Sequence, residues 1–510
     1  MLTDIFINLS SGFGSVFSVG PILGIILGVC VGIVFGAIPG VSGIMAIAIM
    51  LPLTFYLDPV IGIVTLLAVY KAGIYGGSIS AILINTPGAA ASFLTALDGH
   101  PLARAGKAGK ALCLSLYASV TGNVLATLVL ICVAAPISLI SMQAGPIEKV
   151  WLLIFAFTVV GSMTGESVPR GLLSCSLGML FAMVGMSSLT GAARMTFGIP
   201  ELISGFTFLP MLIGVLVMPE VLEAVRRRKI PQQDLVLKHS TNPADNRLSF
   251  REYRSVLGTI VKSSGIGTVV GALPGLGSSS AAFLAYGEAK RSSKEPETIG
   301  KGSPHGIASA ESAGNAVCGS SMIPMLTLGI PGDDVTALLM GAFLIHGLTP
   351  GPTIFYEHTN IVYAIFAGFL LVDLFLLIIG RYGLRFWMMV ASVKTYFIFP
   401  CVFAFAVAGA FTTNQIMSDI LILLLFTVLG YGMRFAGLNP AAFIIGFILM
   451  PIFEQNLGQA VSIVGTDYFR MLASPIGWVF IALSAISVWS AIRTNRRTKS
   501  QKLFENGQHA

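Results

Sequence analysis

The chain has 510 residues, of which 10% are charged and 55% hydrophobic, with a mean hydropathy of +0.85. Soluble chains carry about 25% charged residues, so these figures exclude an ordinary globular protein and point to a polytopic membrane protein. The net charge of +7 fits basic loops and no nucleic-acid site, and the six scattered cysteines, without CxxC or other metal spacing, read as buried packing residues.

The first fifteen residues contain no Lys or Arg, so they lack the basic region of a secretory signal, and insertion is expected to begin with the first true spans. Apolar stretches near the roughly 20-residue spanning length then recur from 21–38 to 477–491. They amount to about 12 or slightly more spans, all helical. Two Pro-Gly breaks interrupt the first half: GAIPG at 36–40, then NTPG at 85–88, closing the run YGGSISAILINTPG. Residues 60–70 are only about half a spanning length before the Gly-Ser cluster, so the helix is expected to break there as well.

A break exposes backbone N–H and C=O groups that lipid cannot satisfy, so they must be buried in protein or line a cavity. The freed helix N-termini suit an anion. The first half of a substrate site is therefore placed on Pro39, Gly40, Ser42, Gly77, Ser78, Ser80, Asn85, Thr86, Pro87 and Gly88. Lys71 either neutralises a substrate carboxylate here or snorkels from a helix end.

Past the middle the pattern returns as GALPG at 271–275 and CGSSMIPMLTLGIPG at 318–332. The second half of the site falls on Pro274, Gly275, Ser278, Asn315, Gly319, Ser320, Ser321, Pro331 and Gly332. Glu311 lies just before this cluster. Asp333 and Asp334 either hold a coupling Na+ or H+ or project into water. Taken singly, each small residue could equally serve close helix packing.

Two hydrophilic stretches, one opening at residue 223 and a tail from Arg493, are rich in Lys and Arg and are expected to be cytoplasmic. They divide the chain into a first repeat (1–222), a basic linker (223–255), a second repeat (256–492) and a basic tail (493–510). In the first repeat, residues 56–60 carry no Lys or Arg, while Arg104, Lys107 and Lys110 follow NTPG. In the second the bias reverses: Lys290, Arg291, Lys294 and Lys301 follow GALPG, and 332–360 has none. Equivalent loops then lie on opposite sides of the membrane, which makes the repeats inverted in topology, with broken helices or re-entrant hairpins. That is a signature of secondary transporters.

No phosphate loop, HExxH zinc pair or GxSxG elbow occurs. No cofactor or structural metal is expected, so uphill transport would draw on a Na+ or H+ gradient. A passive anion channel and an integral membrane enzyme are the rival classes.

The long stretch from GAIPGVSGIMAIAIMLPLTFYLDPV through YGGSISAILINTPG to GKAGKAL resembles the large membrane subunit of the tripartite tricarboxylate transporter family. So do GALPGLGSSSAAFLAYGEAKR and GSPHGIASAESAGNAVCGSSMIPMLTLGIPGDDVTALLMGAFLIHGLTPGP. The resemblance implies a bacterial inner-membrane permease with two partners, a small membrane subunit and a periplasmic solute-binding protein. It implies import of a di- or tricarboxylate driven by a cation gradient. The family motifs fall on Pro39, Gly40, Ser78, Asn85, Pro87 and Gly88, and on Pro274, Gly275, Ser320, Pro331 and Gly332.

Overall fold

The structure is a computed structural model that describes residues 2–39, 41–162, 168–226, 245–391, 398–412, 414–486 and 488–489. Gly40, most of the hydrophilic linker and the basic tail lie outside the described residues. The first half forms α1 (Leu2–Val16), α2 (Val19–Ala37), α3 (Gly43–Thr54), α4 (Pro59–Ile84), α5 (Phe93–Leu102), α6 (Ala108–Met142), α7 (Pro146–Ser162), α8 (Val168–Ala182) and α9 (Phe208–Arg226). A 3-10 turn at Ala90–Ser92 leads into α5. The second half forms α10 (Phe250–Ala272), α11 (Gly277–Ser292), α12 (Pro304–Ser320), α13 (Met322–Leu328), α14 (Asp334–Ile345), α15 (Ile354–Glu357), α16 (Thr359–Tyr382), α17 (Leu384–Val390), α18 (Ile398–Thr412), α19 (Met417–Phe435), α20 (Pro440–Val464) and α21 (Pro475–Ile486).

Strand is confined, among the described residues, to one antiparallel pair, Gly185–Met186 with Ala193–Arg194. Seven described helices are long and apolar enough to cross a membrane, and five more of 10–17 residues are apolar. The protein is an all-α polytopic membrane protein.

The Pro-Gly motifs fall between helices. Ser42 caps α3 by accepting the Met45 N–H at 3.2 Å, and α4 ends on Asn85 in the left-handed conformation (φ 53°). In the second half, α13 closes on left-handed Gly329 and Asp333 caps α14. The Gly-Ser cluster behaves differently from the sequence expectation. Asp58 caps α4, Pro59 opens it, and the helix runs unbroken through Gly73, Gly76 and Gly77 for 26 residues. The glycines there serve approach instead of interruption: a Cβ on Gly32 would meet the Val69 carbonyl at 2.6 Å, and one on Gly76 the Ile33 carbonyl at 2.7 Å. With no side chains between them, α2 and α4 pack backbone to backbone.

The cysteines also divide: Cys113, Cys175 and Cys318 are buried, Cys30 is half-buried, and Cys132 and Cys401 are exposed on this chain. The expectation that they are all buried holds for half of them, because apolar surface facing lipid needs no protein cover.

Two compact units form, one from Met1–Ser138 and Glu220–Thr413, the other from Leu139–Pro219 and Asn414–Ala510. Both halves of the chain contribute to each. In the second unit α20 packs on α7 and α8, and Phe181, Phe206, Phe426 and Phe443 form an aromatic cluster. There Arg194 forks onto Glu454 at 2.8 and 3.0 Å.

In the first unit α2 lies along α4, and α10 along α12. The short helices are exchanged: α5 of the first half packs on α11 and α12, while α14 of the second half packs on α3 and α4. Asp98 of α5 locks one exchange. Fully buried, it accepts the backbone N–H groups of Gly300, Gly302 and Ser303 at 2.7–2.9 Å and the Tyr286 hydroxyl at 2.7 Å. Tyr70 of α4 locks the other, donating to Asp333 at 2.6 Å.

Replacing Asp98 with Ala would orphan three backbone donors and a phenol. A loss of roughly 3 kcal/mol or more is expected, seen as a lower Tm of the detergent-purified protein. An unchanged Tm would remove the clamp from the account of the fold.

Candidate functional site

Four helix N-termini follow the four breaks, and they are not equivalent. That of α3 is capped by Ser42, whose hydroxyl also donates to Glu220 at 3.2 Å. That of α14 is capped by Asp333, which exchanges hydrogen bonds with Thr336. The N-termini of α11 and of the 3-10 turn before α5 have no side-chain cap. Residues 277–280 are half-buried, Ala89 is half-buried and Ala90 is exposed.

These two uncapped ends adjoin each other over α12. A Cβ on Gly314 would lie 3.4 Å from the Ala91 Cβ and 3.8 Å from the Ser278 carbonyl. Paired helix N-termini without a side-chain cap carry partial positive charge, which suits a carboxylate.

The surrounding predicted residues gather by half. Gly88 donates to the Gly77 carbonyl at 3.2 Å, which docks the NTPG break on α4. Gly275 donates to the Gly332 carbonyl, which joins the two breaks of the second half. Asn85 and Thr86 are exposed, Pro39 and Pro87 half-buried, and Pro274 and Pro331 buried. Some predicted residues serve packing. Ser80 bonds within α4, Ser320 bonds the Ala316 carbonyl within its own helix, and Gly319 lets α12 approach Ala126 and Thr127 of α6.

Ser78 and Asn315 belong to a second cluster, centred on Glu311 of α12. Glu311 is 3% exposed. Its Oε1 accepts from Ser78 of α4 at 2.5 Å and from Thr95 of α5, and its Oε2 from Ser119 of α6 at 2.8 Å. Asn315 donates to Ser119 at 3.0 Å, and Ser92 shares a hydrogen bond with Ser78 at 3.1 Å. Ser321 is buried with no hydrogen-bond partner for its hydroxyl.

Lys71 stands near the middle of α4 and is fully buried, so it does not snorkel. Its ammonium donates to Asp373 of α16 at 2.8 Å, to Thr127 at 3.1 Å and to the Phe369 carbonyl at 3.1 Å. It also sits 4.5 Å from the centre of the Phe369 ring. Asp333 is buried and spent on Tyr70 and Thr336, so the water-facing alternative fails for it; its neighbour Asp334 is half-buried.

Several of these residues belong to no sequence motif. Asp98 and Asp373 are single acids in ordinary helices, and Glu311 stands only beside the second Gly-Ser cluster. A signal did exist on α6, where Ser115, Ser119, Asn123 and Thr127 recur every fourth residue. That period places them on one face of a helix.

The Lys71–Asp373 pair can be separated from function by stability. Removing one partner of a buried pair is expected to cost about 3–5 kcal/mol, whereas replacing both with apolar residues is often near neutral. Lys71→Met should therefore unfold at a much lower temperature than wild type, and Lys71→Met with Asp373→Leu should recover most of the loss. Equal damage in the single and double variants would argue for a role beyond mutual neutralisation.

Comparison with known proteins bears on this arrangement. The model of the tripartite tricarboxylate transporter TctA family matches residues 22–445. An uncharacterized 52.8 kDa protein in the TAR-I ttuC' 3' region of Agrobacterium vitis is 32% identical over 503 residues, 99% of each chain. An uncharacterized protein in the TAR-II ttuC' 3' region of the same organism is 33% identical over 238 residues, 47% of this chain and 98% of that one. No solved structure matches. The family match takes in all four breaks, the uncapped helix ends and the Glu311 cluster, and the chain belongs to the tripartite tricarboxylate transporter TctA family.

Proposed function

We propose that this membrane transporter component imports an organic di- or tricarboxylate by secondary active transport in a bacterial inner membrane. The substrate is captured by a periplasmic solute-binding protein and handed to this chain, which works with a small membrane subunit. Coupling to Na+ or H+ offsets the charge of the substrate.

The observation that carries the reading is the pair of adjoining, uncapped helix N-termini at 277–280 and 89–91. In this reading one carboxylate of the substrate takes the free N–H groups, and Ser278, Asn85 and Thr86 meet its remaining oxygens. Capping at α3 and α14 reserves those ends for structure, which leaves one anion locus where four breaks alone would suggest four.

An inverted repeat fits the same geometry. Gly62, near the start of α4, adjoins His346 at the end of α14. At the other end, His100 of α5 bonds the Ile82 carbonyl at 3.1 Å, and Asp98 of α5 binds the loop at 300–303. Gly62 and Ile82 are twenty residues apart on an unbroken helix, about 30 Å, which is the thickness of the hydrocarbon core. The two connections free of Lys and Arg thus gather at one end of α4, and the two basic ones at the other. Such grouping supports repeats of opposite orientation, 1–222 and 256–492, with the basic linker and tail in the cytoplasm.

Ala89→Asp tests the anion locus, since an N-cap carboxylate would occupy the N–H donors and repel a second anion. Uptake of labelled citrate or another carboxylate, in proteoliposomes holding both membrane subunits and supplied with the binding protein, should fall at least about tenfold, or 1.4 kcal/mol. Membrane abundance should hold. Wild-type uptake in this variant would remove the locus from the substrate path, and flux indifferent to any ion gradient would indicate a channel.

A further inference from the structure

We propose that Glu311 is the anionic ligand of a binding site for a hard monovalent cation, sodium in the first instance, placed one helical turn from the substrate anion. The inference rests on the transporter reading for the meaning of that neighbour, and on the geometry alone for the site itself.

All the hydrogen-bond partners of the Glu311 carboxylate are neutral hydroxyls, from Ser78, Thr95 and Ser119. A buried carboxylate held by hydroxyls alone, with neither a countercharge nor the backbone N–H donors that hold Asp98 and Asp333, is costly, and a proton or a bound cation would neutralise it. The oxygens around it decide between the two. Asn315 holds its Nδ2 on Ser119 and on the Glu311 carbonyl, which leaves its Oδ1 in the cluster, buried and without a partner. Ser115, one turn before Ser119 on α6, is buried and faces the Glu311 carboxylate, and Asn123, one turn after it, is buried with neither atom of its side-chain amide hydrogen-bonded among the described residues.

A proton would satisfy one such oxygen. A hard cation satisfies several at once, because it binds a shell of carboxylate, carbonyl and hydroxyl oxygens. The fully buried Lys71 is engaged with Asp373, so the cluster keeps its net negative charge.

Position ties this site to the anion locus. Ser92 and Thr95 lie in the first turns of the segment that begins at Ala90, and both reach the cluster, Thr95 directly and Ser92 through Ser78. The cation would thus sit behind the N-terminus that faces the substrate. Filling one site would draw the ligand of opposite charge into the other, and would fix α4, α5, α6 and α12 together.

The test uses the full-length protein in detergent, with NaCl replaced stepwise by choline chloride at constant ionic strength. Sodium is expected to raise the wild-type Tm by a few degrees, and Glu311→Gln to abolish that rise. Ser119→Ala, which removes one neutral ligand, is expected to raise the half-saturating sodium about tenfold; it also serves if the Gln variant fails to accumulate. A wild type that does not distinguish sodium from choline, or variants with the full sodium response, would overturn the site. Uptake separates this result from the transporter reading. Carboxylate uptake driven by a proton gradient and indifferent to sodium would overturn the cation site and leave transport standing. A sodium response lost in Glu311→Gln beside a wild type that carries no carboxylate would support the site and overturn the transport reading.

Discussion

Every backbone group that a helix break releases inside an apolar protein must find a partner there, and this constraint organises the first unit. Ser42 and Asp333 meet it for α3 and α14, and Asn85 and Gly329 meet it by turning the chain left-handed at helix ends. Gly88 and Gly275 meet it with a backbone bond to α4 and to the partner break. At 277–280 and 89–91 no side chain closes the helix N-terminus, and the proposed anion locus rests on those two ends.

Buried charge follows the same logic with larger stakes. Asp98 is satisfied by three backbone donors and a phenol, Lys71 by Asp373, and Asp333 by its own helix cap and Tyr70. Among the described residues, the Glu311 carboxylate has hydroxyls as partners and neither a backbone N–H nor a cation. All four close contacts between elements distant in sequence, but Glu311 does so through hydroxyl oxygens alone, on α4, α5 and α6.

Much of this was legible in the sequence. Apolar composition fixes the class, and loop charge suggests orientation; Pro-Gly pairs locate the breaks because the two residues together weaken a helix, whereas lone prolines such as Pro136, Pro219 and Pro451 stay inside helices. The Gly-Ser cluster misleads, since glycine signals either a break or a close approach, and only the presence of α2 alongside α4 decides between them. Long-range partners such as Asp373 for Lys71 were out of reach, because pairing across about 300 residues leaves no local pattern. The four-residue period on α6 was visible but mild, since Lys110, Thr121, Ser138 and Ser141 of the same 35-residue helix fall outside it.

The exchange of α5 and α14 has a consequence for how the protein is made. When the first half emerges from the ribosome, α5 has its own neighbours but lacks α11 and α12, and the Asp98 carboxylate lacks the loop that will hold it. Likewise α3 and α4 present a face that only α14 will cover. The early membrane intermediate therefore carries buried-to-be acid and apolar surface that its own sequence cannot satisfy. The contacts that complete the core of the first unit therefore form only once the second half has been translated.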